Sequence, residues 1–360
     1  MALFLVAGFS IAGMAHASPS SAVYTEDNAA GTNHVLQYES GPNGVLSLAG
    51  TFSTGGAGTG TALHSQGAVL LTQDGHWLLA VDAGSSQITV FQVNNGGSLS
   101  ALTPVSSHGT TPISLTMYRN WVYVLDAGSG NIAGFVLGNS GALTYIAGSD
   151  QPLIGGAGSS PEQIGFSPHG NTLFATEKGT NTIDQYPVDD NGVASSPTAI
   201  PSNGGGPYGF AFTSRGYLIL SEAGTGSLSS YAVSDSGSLR TVSGAIPDFG
   251  GTPCWVAVSQ DGRSAYTGNG GGGIISGYSI SGQGTLSLFS SVAARTSGAA
   301  LDLTFGGNNH GDNRGDARQG QYLYALSTGY ITSFQTYPDG GISQVSSIAL
   351  PASAGGLAAN

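Results

Sequence analysis

Residues Gly67–Val93 read GAVLLTQDGHWLLAVDAGSSQITVFQV. Three short apolar runs, Gly67–Leu71, Trp77–Val81 and Gln87–Val93, are separated by the turn signals Gln73-Asp74-Gly75 and Asp82-Ala83-Gly84-Ser85. Runs of this length, rich in Val, Ile, Phe and Trp and bounded by Gly, Asp and Ser, read as antiparallel strands. A fourth run, Leu99–Val105, follows the turn Asn94-Asn95-Gly96-Gly97. Four strands joined in sequence by tight turns make a meander of the kind that forms one propeller blade.

The unit recurs. Its third-to-fourth strand turn returns as Gly41-Pro42-Asn43-Gly44, Gly138-Asn139-Ser140-Gly141 and Asp189-Asp190-Asn191-Gly192. Three further copies are Ser234-Asp235-Ser236-Gly237, Ser281-Gly282-Gln283-Gly284 and Pro338-Asp339-Gly340-Gly341. Seven copies at a spacing near 50 residues predict seven blades rather than a helical solenoid. A second marker sets the register: Asp82, Asp126, Glu177 and Glu222 each stand 15 residues before the last glycine of their turn. Glu26 takes that slot in blade 1, and Gly268 and Ser327 are expected there in blades 6 and 7. Blade 1 has no residues for an inner strand ahead of Ala22–Thr25. The C-terminal Leu357-Ala358-Ala359-Asn360 is therefore expected to supply it, closing the ring and removing open sheet edges. The expected architecture is all-β: one seven-bladed propeller domain over residues 18–360, with four-stranded antiparallel blades.

Composition agrees. Sixty of 360 residues are glycine and 8% are charged, and no long 3.6-residue periodicity is present. The net charge is −12, with eight basic residues and one lysine, Lys178. A nucleic-acid partner requires a basic stripe, and the sequence has none. Residues 1–17 read as a signal peptide: an apolar run, Ala2–Met14, precedes Ala15-His16-Ala17, so a secreted or periplasmic location is expected. No other run approaches the ~20 apolar residues of a membrane span, and the chain is read as a monomer without a transmembrane segment. Cys254 is the lone cysteine and has no disulfide partner within the chain. The first turn of blade 7 is expanded to Gly306–Gly320, which contains Arg314-Gly315-Asp316; a polar loop is the simpler reading of it than an adhesion site.

Meander topology places the loops between blades on the same face as the second-to-third strand turns. That face is expected to gather Glu26, Asp82, Asp126, Glu177 and Glu222, together with His64, His108, Glu162, Tyr208 and Asn269. The repeated carboxylates have two readings: acceptors for backbone N–H groups of the turn that follows each, or a converging set for acid–base work or for a hard divalent cation such as Ca²⁺. His64 and His108 lack ligand spacing with another His or Cys, and Cys254 beside Trp255 lacks an adjacent base. There is no Gly-x-Ser-x-Gly elbow, Walker loop or His-Glu-x-x-His helix.

The strand order and the stretches PEQIGFSPHGNTLFATEKGTNTIDQY (Pro161–Tyr186) and PYGFAFTSRGYLILSEAGTGSLSSY (Pro207–Tyr231) resemble the seven-bladed lactonase family. That family includes propeller-type 6-phosphogluconolactonases and 3-carboxymuconate cyclases. The resemblance implies a site on the blade-joining face, but the pattern is altered here. Ser160-Pro161-Glu162 stands where the family carries a His-x-His pair, and Gly206-Pro207-Tyr208-Gly209 where it carries Gly-Pro-Arg-His. Asn269 replaces an expected arginine, and Glu222 keeps the expected acid. With the basic residues gone, an anionic lactone loses its grip and its oxyanion partner. The sequence thus points to a binding protein with a degenerate lactonase site for a small neutral or cationic ligand, or a protein partner. The alternatives are a hydrolase of uncharged lactones, with Glu222 as general base assisted by His64, His108 or Glu162, and a structural or adhesive surface propeller.

Overall fold

The computed structural model describes residues 21–306 and 322–360. The expected signal peptide and the Arg314-Gly315-Asp316 loop lie outside the described residues. Seven antiparallel sheets are built from residues 69–106, 112–152, 161–201, 207–247, 253–295 and 300–306 with 322–349, the seventh being formed by 21–53 and 355–359. Their inner strands pack side by side in cyclic order. Gly355–Ala359 pairs antiparallel with Ser21–Glu26 as the inner strand of blade 1. The Asn360 side chain completes the closure by accepting from the Ala22 N–H at 2.7 Å.

The second strand of each blade is buried on both faces because each blade is covered by its neighbours, whereas the outer fourth strands are largely open to solvent. Each seam between blades holds its own apolar cluster, such as Tyr123, Leu125, Ile164 and Leu173 between blades 3 and 4. This explains why the second strands read as continuous apolar runs rather than alternating ones.

The recurring turn glycine also has a seam function. Gly192 has φ +81°, a left-handed conformation that side-chain-bearing residues resist. A Cβ there would also meet the Trp121 indole of blade 3 at 2.6 Å, and the Gly192 carbonyl accepts from Tyr123 of blade 3 at 2.7 Å. Gly141 is equally pressed on Trp77 of blade 2. The repeat visible in the sequence is therefore the mark of one blade docking on the next.

Three expectations need adjustment. The slot-bearing residue of blade 6 is Asn269, the last of its second strand, rather than Gly268. In blade 7 the left-handed turn glycine is Gly340 rather than Gly341, and a tighter turn after Ser327 shortens the spacing. The fourth strand of blade 2 is split into Leu99–Ala101 and Val105–Ser106, interrupted at Pro104, which has no N–H to donate.

Candidate functional site at the channel mouth

Glu26, Asp82, Asp126, Glu177 and Glu222 close the second strands of blades 1 to 5 as the topology requires, yet all five are fully buried. They do not form an open acidic face. Each sits in the seam where the chain passes from one blade to the next. Glu222 accepts from Ser202 at 3.0 Å, Ser227 and Ser229 at 2.6 Å, and the Gly204 N–H at 2.7 Å. Glu177 accepts from the Gly155 N–H, Thr180 and Thr182. Asp82 accepts from Asn33, Thr54 and Thr89. None of these donors is a backbone N–H of the turn after the carboxylate. Most come from the interblade loop and the third strand, with the Thr180 hydroxyl added by the turn after Glu177 and the Asn33 amide by the same turn of blade 1.

Satisfaction is uneven around this ring. Asp126 accepts from Ser107 at 2.6 Å, but its second oxygen has no partner, and burial raises its carboxyl to about 7. Glu26 shares the Asn33 amide with Asp82; burial holds it well above the usual carboxylate range, and the Asp82 charge adds to this. Asn269 occupies the same slot in blade 6, where its amide donates to Ser276 at 3.0 Å.

A second feature was not anticipated. The inner strand of blade 2 is only Val69–Leu71, because residues 64–67 leave the blade and cross the channel. The Gln66 amide donates to the Val256 and Leu303 carbonyls of blades 6 and 7 at 3.0 and 3.2 Å. The Gln66 carbonyl accepts from Ser114 of blade 3 at 2.6 Å. The crossing starts and ends in left-handed backbone, His64 at φ +53° and Gly67 at φ +84°. Its signal in the sequence is the polar run His64-Ser65-Gln66 where an inner strand calls for apolar residues.

Beside this strap lies a cavity of about 600 Å³, lined by residues of blades 4 to 7 and by His64. Glu162 and Tyr208 come from the starts of inner strands Pro161–Phe166 and Pro207–Phe212. Lys178 stands in the turn after Glu177, and its ammonium is 2.8 Å from Glu162 and 4.9 Å above the Tyr208 ring. Tyr208 meets the Trp255 ring edge-on at 4.7 Å. The rim is made of close-packed glycines: Gly206, at φ +66°, leaves 2.9 Å between a notional Cβ and the Gly224 nitrogen. A side chain at Gly206 or Gly224 would collide with the backbone of the facing loop.

Burial raises the Glu162 carboxyl to about 7, against the opposing pull of Lys178 and of a hydrogen bond from Tyr208. Burial, followed by the Lys178 charge, holds the His64 imidazole below its ordinary value, so it is neutral near pH 7. Cys254 also lines the cavity, but burial pushes its thiol up to about 11 and its sulfur donates to the Thr252 carbonyl at 3.4 Å.

The site therefore unites Glu162, Tyr208, His64 and Lys178, and adds Trp255, which the sequence marks only as the neighbour of Cys254. It leaves out Glu222, whose following residues Ala223 and Gly224 line the cavity while its carboxylate is occupied in the seam. It also leaves out His108, which is exposed and stacks on Tyr145 at 3.8 Å on the outer part of blade 3. Among the described residues, no three His, Cys, Asp or Glu side chains converge as a metal site. No helix among them is long and apolar enough to cross a membrane.

Solved structures share this architecture. A Bacteroides uniformis protein provisionally assigned as a 6-phosphogluconolactonase superposes with a TM-score of 0.74 at 18% identity, covering 95% of this chain and 100% of that one. The periplasmic gluconolactonase of Pseudomonas aeruginosa gives 0.69 at 15% identity, covering 94% and 98%. Virginiamycin B lyase from Staphylococcus aureus gives 0.56 at 14% identity, covering 82% and 88%. At these identities the likeness concerns the fold. No curated protein matches the sequence. The family profile described as "Lactonase, 7-bladed beta-propeller" matches residues 20–152 and 216–355. Glu162, Lys178 and Tyr208 fall between those two stretches. The chain belongs to the seven-bladed β-propeller lactonase family.

Proposed function

We propose that this protein is an exported propeller that binds a small uncharged lactone, or a similar cyclic carbonyl compound, in the pocket over blades 4 to 7. The observation that carries the reading is Lys178, which is held 2.8 Å from the buried Glu162 and lines a cavity of about 600 Å³ together with Tyr208 and Trp255. A carbonyl oxygen entering the mouth finds one ammonium donor, and the indole and tyrosine rings flank its ring. The ammonium is already matched by a carboxylate, and the chain carries a net charge of −12. A phosphorylated or carboxylated lactone would meet no uncompensated positive charge. Export rests on the leader-like residues 1–17 and stands with the proposal.

A second reading, hydrolysis, draws on Glu162 rather than Glu222. With its carboxyl near 7, Glu162 is divided between acid and base at neutral pH, which suits proton transfer. It would take a proton from water as the oxygen attacks the lactone carbonyl, and Lys178 would stabilise the developing oxyanion. As the ring C–O bond breaks, the leaving alkoxide would recover the proton from Glu162.

One experiment tests both readings. The melting temperature and the hydrolysis rate are measured with δ-valerolactone and with 6-phosphogluconolactone, on the native protein and on Lys178→Met. Valerolactone at roughly 100 Kd is expected to add about 2.7 kcal/mol, a rise of several degrees that Lys178→Met loses, with no response to the phosphorylated lactone. Turnover of valerolactone that disappears in Glu162→Gln would establish the hydrolase. A response to the phosphorylated compound alone would sink the neutral-ligand reading.

A further inference from the structure

The polar groups lining the pocket are largely spoken for. The Trp255 indole N–H is donated to the Ala300 carbonyl at 2.9 Å. The Tyr208 hydroxyl is shared between Glu162 and the His64 carbonyl. The Cys254 thiol is turned to Thr252. Lys178 and the neutral His64 remain to meet a ligand, while Ala223, Ala300 and Leu301 supply apolar wall between the glycines. A polyhydroxylated lactone brings several hydroxyls whose bonds to water would be lost on entry without replacement. An aliphatic substituent loses nothing and gains burial.

The open side of the pocket carries a matching feature. Thr252, Gly270 and Gly271 line it, and Thr252 ends a loop that begins at Asp248. Asp248 is fully buried and holds the loop by accepting from the Gly250 N–H at 2.7 Å, Ser276 at 3.1 Å and Tyr278 at 3.3 Å. The next residue, Phe249, is 81% exposed and stands at φ +56°, a conformation in which a bulky residue is strained. A rigidly anchored loop thus presents a strained aromatic ring to solvent three residues before the lining Thr252, and the Gly250 carbonyl of that loop sits 3.5 Å from where a Gly272 Cβ would stand, next to the lining Gly271. Within the free protein neither the strain nor the exposed ring is compensated.

We propose that the pocket selects lactones bearing an aliphatic chain over polyhydroxylated ones, and that Phe249 covers the chain where it leaves over Gly270 and Gly271. This rests on the lactone-binding reading above and specifies its ligand class. The carbonyl end is held by Lys178, and the chain runs along Ala300 and Leu301 to the rim.

The test is a calorimetric titration of the purified protein with γ-butyrolactone, γ-decanolactone and glucono-δ-lactone, repeated on Phe249→Ala. Each methylene buried is worth about a fourfold gain in affinity. Decanolactone is therefore expected to bind at least roughly tenfold more tightly than butyrolactone, with gluconolactone weakest. In Phe249→Ala the decanolactone advantage should shrink by about threefold or more while butyrolactone affinity is unchanged. Phe249→Gly, which suits the left-handed backbone, serves as a second variant and should melt no lower than the native protein. Equal affinities for the two alkyl lactones, or tighter binding of gluconolactone that Lys178→Met abolishes, would overturn the chain-selection proposal and leave lactone binding standing. An undiminished advantage in both Phe249 variants would overturn the role of Phe249. If none of the three lactones binds, the lactone reading itself falls.

Discussion

Glu222 and Glu162 are neighbours on one face of the ring, both nearly inaccessible to solvent, and they do opposite things. Glu222 lies in a seam between blades and accepts four hydrogen bonds from Ser202, Gly204, Ser227 and Ser229. Glu162 lies behind the channel mouth, where it meets the ammonium of Lys178 and the hydroxyl of Tyr208, two residues that line a cavity. The seam carboxylate is surrounded by donors from two blades and acts as a fastener. The mouth carboxylate keeps a titratable proton and a route to solvent through Lys178. Equivalent chemistry in the side chain says little about role; the number and origin of the donors around it say much more.

The sharpest contrast between frame and mouth comes from removing frame. Deletion of residues 355–360 takes away the inner strand of blade 1, with Leu357, Ala358 and Ala359 buried, and exposes the edge of Ser21–Glu26, the strand it pairs with. A fall in melting temperature on the order of 15 °C or outright failure to fold is expected, read by circular dichroism. A melt close to that of the full chain would show that the ring does not depend on its closing strand.

Next is the pair Glu222→Gln and Glu162→Gln. The first leaves a buried set of donors around a neutral amide whose NH₂ faces either Ser227 alone or the other three donors, and should cost about 2–4 kcal/mol. The second changes a partner of the part-exposed Lys178 and should stay within about 1 kcal/mol in stability while removing the valerolactone response. Chemical denaturation of both variants measures the first difference. If Glu162→Gln proves the more destabilising, the division into fastener and site carboxylates is wrong.

The smallest effect tests how well the frame is satisfied. Burial raises Asp126 and Asp184 to about 7 and holds Glu26, Asp82, Asp248 and Asp302 above the usual carboxylate range. These groups keep protons in the folded state that the unfolded chain releases near pH 4. The stability they contribute is complete below that pH and is lost as pH rises toward 7. His64, held low by burial, opposes this as a single group below about pH 6.5. The melting temperature is therefore expected to be about 5 °C higher at pH 5 than at pH 8. A higher melt at pH 8 would mean that the buried acids are ionised and better paired than Asp126 and Glu26 indicate.

Much of the frame was legible in the sequence. The turn glycines and the carboxylate slot repeat in register, and both belong to local units, so the number of blades and the closing role of the C-terminus follow from spacing alone. Part of the site was legible too. Glu162 and Tyr208 were marked because they replace an expected pattern, and Lys178 because it is the only lysine. Trp255 was missed because an aromatic residue in an inner strand looks like core. Phe249 was missed because nothing local marks an exposed ring. The strap at His64–Gly67 left a faint trace in its polarity, but its partners in blades 3, 6 and 7 are far away in the chain.

By itself, then, the sequence determined the strand-turn repeat, the seven blades, the ring closure and the absence of a basic surface. These depend on turn chemistry and composition, which act over a few residues. Only the tertiary structure decided which carboxylates are enclosed in a seam and which one pairs with a lysine that lines a cavity. That distinction is made by donors from an adjacent blade, such as Ser202 and Gly204 reaching Glu222, or Gln66 crossing the channel to Val256. Strands buried on both faces carry no alternation that would say which way a side chain points, so its surroundings are settled only when the blades pack.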